Sequence, residues 1–453
     1  MPNHNKTKIV ATLGPATDTK EILTELASNG VNVFRINFSH ADYEDVERKV
    51  KIIKEINKEK GYNVAILADL QGPKLRVGVM EDDVILEDGD TFTFTTVKCI
   101  GTKEKAFMTY QRFPKDVKVG EAIMVDDGKL RFEVISTNKE NEVVVKVIVG
   151  GPLRSKKGVN LPNTAISLPA LTKKDMEDAV FAIGLGVDWF ALSFVRTPED
   201  LRMLRDLIAQ HSDYRIPIIA KIEKPEAVAN IDALIPYCDG LMVARGDLGV
   251  EIPMQDVPLI QKKLVRRAKR ARIPVIIATQ MMETMIDNPV PTRAEVNDVA
   301  NSIMDGADAV MLSGETSVGK FPLRVIQKMS EIIKAVENSK MIKVPQEPPH
   351  IRTNRFVTKS ICYHAALMAN DTDAAAICTL TNSGYTAFQI SSWRPRTHVL
   401  AFSTDKRILG KLNLLWGVRA FYYDKNLSTD DTVVDINNIA KEKGFVTSGD
   451  III

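Results

Sequence analysis

Short apolar runs rich in Val, Ile, Leu and Phe recur along the chain, each followed by a polar or glycine-bearing turn and then a longer stretch of helical period. This is the rhythm of βα units. Eight runs read as strands, at residues 8–13, 31–37, 64–69, 189–194, 217–222, 240–243, 274–279 and 309–312. Amphipathic helices fit between them at 19–28, 43–58, 173–184, 198–211, 225–231, 257–271, 292–305 and 322–337. Eight alternating units predict a (β/α)8 barrel of the TIM type, whose chemistry sits on the loops after the carboxyl ends of its strands. Those ends carry Arg35-Ile-Asn-Phe-Ser39, Asp69-Leu-Gln-Gly72, Lys221-Ile-Glu223, Arg245-Gly-Asp247, Thr279-Gln280 and Ser313-Gly-Glu315, so polar residues gather on one rim.

The pattern breaks at residues 73–169. Segments at 83–86, 91–96, 122–125, 131–136 and 142–150 alternate or are β-branched, and Asp-Gly pairs stand at 88–89 and 127–128. A small all-β domain is therefore expected inside one barrel loop, where it would act as a lid that excludes water over bound substrate. The barrel would comprise 1–72 and 170–343. Three prolines in Val344-Pro-Gln-Glu-Pro-Pro349 favour an extended linker. A third, α/β domain is expected over 344–453, with helices at 358–370, 386–392 and 404–412 and strands at 375–380, 398–402 and 418–422.

A length of 453 residues suits three domains, and 45% hydrophobic with 26% charged residues suits globular ones. Sixty Lys+Arg against 58 Asp+Glu leave a net charge of +2, which argues against a chain held to nucleic acid or membrane by bulk charge. Any anionic ligand must be small and locally bound. The four cysteines, Cys99, Cys238, Cys362 and Cys378, form no C-x-x-C pair, so a reducing compartment is expected. The first residues lack the apolar segment of a secretory signal, and no run approaches the ~18 apolar residues of a membrane span. A cytoplasmic location is the expectation.

Within the rim, Lys221 and Glu223 project to the same face of a strand. Asp247 ends the next strand, and Gly246 beside it leaves room for a ligand near the backbone. Two carboxylates with space for substrate oxygens and water describe a Mg2+ or Mn2+ site, where zinc would want His or Cys. A structural Lys–Glu pair is the competing reading. Arg35, Asn37 and Ser39 alternate along one strand end, and the guanidinium suits a phosphate or carboxylate because its fork donates two hydrogen bonds. Arg76 offers a second fork.

The order of the motifs resembles one family. Thr12-Leu-Gly-Pro15, Phe34-Arg-Ile-Asn-Phe-Ser-His40, Asp69-Leu-Gln-Gly-Pro-Lys-Leu-Arg76, Gly158-Val-Asn-Leu-Pro162, Lys221-Ile-Glu223, Val243-Ala-Arg-Gly-Asp-Leu-Gly-Val-Glu251, Ala278-Thr-Gln-Met281 and Met311-Leu-Ser-Gly-Glu-Thr316 together resemble pyruvate kinase over nearly the whole chain. The resemblance implies a (β/α)8 barrel with a mobile β-barrel lid and a C-terminal regulatory domain. The implied activity is phosphoryl transfer from phosphoenolpyruvate to ADP, giving ATP and pyruvate. It implies that Glu223 and Asp247 ligate Mg2+, that Arg35 meets the transferring phosphoryl group, and that Gly246 and Thr279 meet the carboxylate end. Lys221 would neutralise charge on the phosphoryl group and the departing enolate. Arg76 and Lys157 would meet nucleotide phosphates, with Asn37 and His40 beside that pocket. Protonation of the enolate would run through water near Thr279, whose hydroxyl is too weak an acid to be the ultimate source.

One departure stands out. K+-dependent members carry glutamate where this chain has Lys74. Asn37, Ser39, Asp69 and Leu70 match the K+ ligands, and the ammonium of Lys74 would take the place of the ion, so activity without K+ is expected. The family's sugar-phosphate effector loop matches Thr381-Asn-Ser-Gly-Tyr-Thr386, with Thr381, Ser383, Gly384 and Thr386 as candidate contacts. Asn382 stands where effector-binding members often carry lysine, which leaves fructose 1,6-bisphosphate, a different phosphorylated effector or none as the alternatives. The resemblance also implies a homotetramer. Family members usually continue past the strand matching Asp450-Ile-Ile-Ile453, so the C-terminal domain is expected to be truncated or short of one strand. The rival readings are a Mg2+-dependent enolate aldolase or lyase on the same barrel, and a non-catalytic paralogue that binds metabolites.

Overall fold

The computed structural model describes residues 5–453 apart from 163, 340, 343–347, 351–353 and 426. Most of the expected linker at 344–349 thus lies outside the described residues.

Eight parallel strands close on themselves: β1 (Lys8–Thr12), β2 (Val31–Asn37), β3 (Ala65–Leu70), β4 (Trp189–Leu192), β5 (Ile218–Ile222), β6 (Gly240–Ala244), β7 (Val275–Ala278) and β8 (Ala309–Leu312). Each pairs with its neighbours in sequence order, and β8 returns to β1 with Lys8 beside Ala309 and Ala11 beside Leu312. The unbroken apolar runs are explained by burial of both strand faces. Val10, Val33, Leu67, Trp189, Ile219, Met242, Ile276 and Met311, one or more from every strand, form a single buried cluster that fills the barrel. Their sequence neighbours, among them Ile9, Phe34, Ile66, Phe190, Ile218 and Ile277, belong to a second cluster shared with the surrounding helices.

The helices match the sequence pattern, with one break. The stretch expected as a helix at 225–231 is two pieces, Pro225–Ala229 and Ile231–Leu234, divided at Asn230.

Between β3 and β4 the chain builds a six-stranded sheet in the order Val159–Asn160, Ala122–Val125, Leu130–Thr137, Glu142–Val149, Thr91–Thr95, Lys105–Phe107. Its core holds Phe92, Phe94, Phe113 and Phe132, with Phe94 and Phe132 edge-to-face at 5.3 Å. The strand at 105–107 is too short to show as a sequence pattern. Gly72, at the exit from the barrel, adopts φ +71°, and a Cβ there would lie 2.8 Å from Phe194 Cδ2, so this entry to the insertion admits only glycine comfortably.

The last unit is a three-stranded parallel sheet, β9 (Ala376–Leu380), β10 (His398–Ser403) and β11 (Val418–Tyr422), flanked by helices Phe356–Asp371, Tyr385–Ser392, Arg407–Leu412 and Thr429–Glu442. The final helix is absent from the sequence reading. Ser428 caps it, and Ile436 and Ala440 pack it on the sheet. Residues 451–453 hydrogen-bond along β9 through Ala375 N to Ile451 O (2.9 Å) and Cys378 N to Ile453 O (2.8 Å).

This unit covers the amino-terminal end of the barrel, opposite the rim. Leu414 joins the barrel's inner cluster, the Trp189 indole donates to Lys411 O (3.3 Å), and Asn413 Nδ2 donates to Asn32 O (3.0 Å) and Asn63 O (2.8 Å). Asp188 lies in the same contact. Its Oδ2 accepts from Ile66 N (2.7 Å), while Oδ1 is pressed against Gly410, leaving no space there for a side chain. Burial pushes its pKa up to about 7, with Lys54 opposing. A carboxyl whose folded pKa exceeds its unfolded value binds more protons when folded, so its charge costs stability as pH rises from about 4 to 7. Asp188→Asn should therefore raise the melting temperature by a few degrees at pH 8, and the gain should shrink as pH falls toward 4. Equal melting curves for the two proteins at pH 8 would contradict this.

Candidate active site

The inward row of each strand continues past the apolar layer as polar residues. Two positions beyond Val10, Val33, Leu67, Ala191 and Ile219 stand Thr12, Arg35, Asp69, Ser193 and Lys221, and two beyond Lys221 stands Glu223. Period two alone thus brings these groups to the mouth of the barrel.

There they form one buried network. Asp69, with its side chain 1% exposed, holds Arg35 Nε on Oδ2 at 2.6 Å and Lys221 Nζ near Oδ1 at 3.1 Å. Lys221 also meets Glu223 Oε1 at 2.9 Å and donates to Ser193 Oγ at 2.6 Å. The Ser193 hydroxyl in turn donates to Leu70 O (2.7 Å). Arg35 Nη1 donates to Thr12 Oγ1 (3.0 Å), and its Nη2 has no partner among the described residues. Phe194, held at φ +55°, donates its backbone N–H to Glu223 Oε2 at 2.8 Å.

The protonation states follow from this crowding. Burial draws the Lys221 ammonium toward neutrality, but Asp69 and Glu223 outweigh it and hold its pKa above the ordinary lysine value. Burial likewise raises the Asp69 carboxyl, yet the charges of Lys221 and Arg35 bring it below the usual carboxylate range. Glu223 goes the other way, raised by burial and by the like charge of Asp247 against the pull of Lys221.

The strand expected through Phe194 ends at Leu192, and the one expected through Thr279 ends at Ala278, because both residues turn into the left-handed region. Thr279, β-branched, sits at φ +69°, a strained conformation of the kind that collects at functional sites. Its hydroxyl donates to Ala278 O (2.6 Å) and accepts from Gly246 N (2.7 Å). The strand end expected at Arg245-Gly-Asp247 is a short helix, Arg245–Glu251. Arg245 fastens it across the rim, donating to Thr279 O (2.7 Å) and pairing with Asp298 (2.7 Å). The half-buried Asp247 carboxylate has no hydrogen bond or ion pair among the described residues.

A cleft of about 600 Å3, open to solvent, separates rim and insertion. Lys74, Asp127 and Asn160 line it from the insertion, and Phe194, Lys224 and Asp247 from the barrel. Arg76 and Lys157 are neighbours in the insertion, since Arg76 bridges to Gly158 and donates to Lys156 O (3.0 Å), while Lys157 pairs with Asp126 (2.9 Å). Asn37 caps the turn at Ser39 (3.1 Å). The side chain of His40 lies outside what is described. Among the residues matched to a K+ site, Asp69 has both oxygens engaged by cations and Leu70 O by Ser193, while Lys74 is exposed and makes no ion pair among the described residues. In the C-terminal unit Gly384 (φ +83°) precedes helix Tyr385–Ser392 with its N–H on Thr381 Oγ1 (3.0 Å), Thr386 meets Thr379 (3.0 Å), and Ser383 is exposed.

No group of three or more His, Cys, Asp and Glu able to hold a metal occurs among the described residues. A protein-only cage is therefore missing there, but the pair Glu223 and Asp247, all oxygen and with Asp247 unpartnered among the described residues, fits a hard divalent cation that completes its shell with substrate oxygens and water.

Comparison with known proteins agrees with this geometry. The family model described as pyruvate kinase, barrel domain, matches residues 4–326, and that described as pyruvate kinase, alpha/beta domain, matches 359–453. Pyruvate kinase 2 of Synechocystis sp. is 43% identical over 100% of this chain and 76% of its own length. The pyruvate kinase of Corynebacterium glutamicum is 41% identical over 99% of this chain and 93% of its own. Among solved structures, a pyruvate kinase from Cryptosporidium parvum superposes with a TM-score of 0.91 at 33% identity, covering 99% of this chain and 93% of that one. Two family models spanning both ends of the chain and relatives above 40% identity over its length show that it belongs to the pyruvate kinase family.

Proposed function

We propose that the chain transfers the phosphoryl group of phosphoenolpyruvate to ADP and protonates the resulting enolate to pyruvate. The observation that carries this reading is the buried network at the barrel mouth, where two fixed cations, Arg35 and Lys221, share Asp69 beside the carboxylates of Glu223 and Asp247.

Glu223 and Asp247 would hold Mg2+ or Mn2+, which when bound supplies positive charge for the phosphoryl and enolate oxygens. Arg35 and Lys221 face three carboxylates there, so their charge alone does not outweigh that of Asp69, Glu223 and Asp247. Arg35 presents its unpartnered Nη2 to the phosphoryl group while Asp69 and Thr12 fix its orientation. Lys221, held charged, stabilises the phosphoryl group in flight and then the enolate oxygen; such preorganised charge is the main resource in phosphoryl transfer. Thr279 commits its own proton to Ala278 O and so serves to orient Gly246 N and the carboxylate end, with the carbon-bound proton arriving through water.

The segment 73–169 acts as a lid between barrel segments 1–72 and 170–343. Its Arg76 and Lys157 meet nucleotide phosphates, with Asn37 beside that pocket. Lys74, on the cleft wall and without an ion pair among the described residues, supplies the charge that K+ provides in other members. Residues 344–453 form the regulatory domain, where the loop of Thr381, Ser383, Gly384 and Thr386 is the place for a phosphorylated effector. Exposed apolar side chains on the barrel, Met254 and Leu259, and on helix Phe356–Asp371, Val357 and Ile361, support assembly of copies into a tetramer.

In a coupled assay with phosphoenolpyruvate, ADP and Mg2+, the wild type should form ATP, and Lys221→Met should lower turnover by about 10²–10³-fold, the usual loss on removing one preorganised stabiliser. Absence of ATP formation in the wild type would instead favour the aldolase or metabolite-sensor readings, and full activity in the variant would remove Lys221 from the mechanism.

Replacing K+ with choline or Na+ should leave wild-type turnover within about twofold, while Lys74→Glu should make it K+-dependent by about tenfold or more, the scale of one lost charge contact. A large activation of the wild type by K+ would exclude the role given to Lys74.

A further inference from the structure

Lys224 and Glu251 form a second buried ion pair a few residues from the network at the mouth. Their side chains are 4% and 1% exposed, and Lys224 Nζ meets Glu251 Oε1 at 2.6 Å. The same oxygen accepts from Asn160 Nδ2 of the insertion at 2.8 Å, while Glu251 Oε2 is buried without a partner among the described residues. Gly128, also of the insertion, packs toward Val250, the residue before Glu251.

The placement of the pair in the chain gives it its meaning. Lys224 directly follows Glu223 at the end of β5, and Glu251 stands four residues after Asp247 on helix Arg245–Glu251, one turn along the same face. The ion pair thus joins the two segments that carry Glu223 and Asp247. The Lys224 ammonium also lies 5.8 Å from the ring centre of Phe194, whose N–H holds Glu223. A buried ion pair adds little stability over apolar residues of the same volume, and its best-attested use is to fix register.

We infer that Lys224 and Glu251 are positioning residues that set the spacing of Glu223 and Asp247, and that Asn160 links this spacing to the docking of the lid. The inference rests on the reading of Glu223 and Asp247 as the pair that holds a divalent cation. Because linkage is reciprocal, a cation that stabilises this spacing also stabilises the docked lid, and a docked lid tightens the cation.

Mn2+ binding to the full-length chain, followed by the paramagnetic resonance of the free ion, tests this without reference to turnover. The double variant Lys224→Met/Glu251→Gln should bind Mn2+ about 10–100-fold more weakly, as for other groups that orient metal ligands, while kcat at saturating Mn2+ stays within a few-fold of wild type. Glu251→Gln alone keeps an acceptor for Asn160 and should shift affinity the same way, which covers failure of the double variant to fold. Mn2+ should slow hydrogen exchange at residues 158–161 in the wild type, and Asn160→Ala should abolish that protection. A folded double variant with wild-type Mn2+ affinity, or protection that survives in Asn160→Ala, overturns the inference while leaving the proposed activity standing. If wild type and Glu223→Gln bind Mn2+ equally, the cation reading fails and the inference with it.

Discussion

Asp69 is the point on which the mouth of the barrel depends. One carboxylate carries Arg35 on one oxygen and Lys221 on the other, so two cations that would repel are held at fixed positions in a region that admits little water. A lone buried cation lowers its own pKa or draws in water. With Asp69 and Glu223 beside it Lys221 stays charged, and both cations remain directed by groups behind them, Thr12 for Arg35 and Ser193 for Lys221. One carboxylate thereby fixes both the spacing and the orientation of the cationic pair.

Much of this was legible in the amino-acid sequence because a closed parallel barrel obeys a simple rule. Both faces of every strand are buried, alternate residues point inward, and the inward row ends at one rim. Lys221 and Glu223 could be placed side by side from their spacing alone, whereas the alternation expected through Ser39 stops at Asn37, where the chain turns into a 3-10 helix, Phe38–His40. The insertion showed itself as a change of period from helical to alternating, with Asp-Gly turns at 88–89 and 127–128 where Gly89 and Gly128 take positive φ.

What escaped the sequence has a common physical reason. Ser193 as partner of Lys221, the backbone N–H of Phe194 on Glu223 and the pair of Lys224 with Glu251 are contacts between different strands or loops, fixed by backbone turns that period cannot show. Asn160 and Glu251 both stood inside recognisable motifs, Gly158-Val-Asn-Leu-Pro162 and Val243 to Glu251, but no local signal joined them. Helix Thr429–Glu442 was missed although Ser428 and the acidic first turn mark its start. Among its apolar residues Val433 and Val434 are exposed while Ile436 and Ala440 pack on the sheet, so the apolar positions alone do not mark its buried face.

The insertion divides β3 from β4, which must nevertheless pair, with Leu67 beside Trp189 and Leu70 beside Leu192. Were residues 71–188 a flexible loop, their length would tax that pairing only gently, since each doubling of a loop costs about 0.6 kcal/mol of closure entropy. Here even that is reduced, because the phenylalanine core at 92, 94, 113 and 132 lets the insertion hold itself together and bring its two ends near one another. For the purposes of chain statistics the barrel sees a short connection. That is why a domain can be threaded through the wall of a closed barrel without opening the seam between β4 and β3, the strand that carries Asp69.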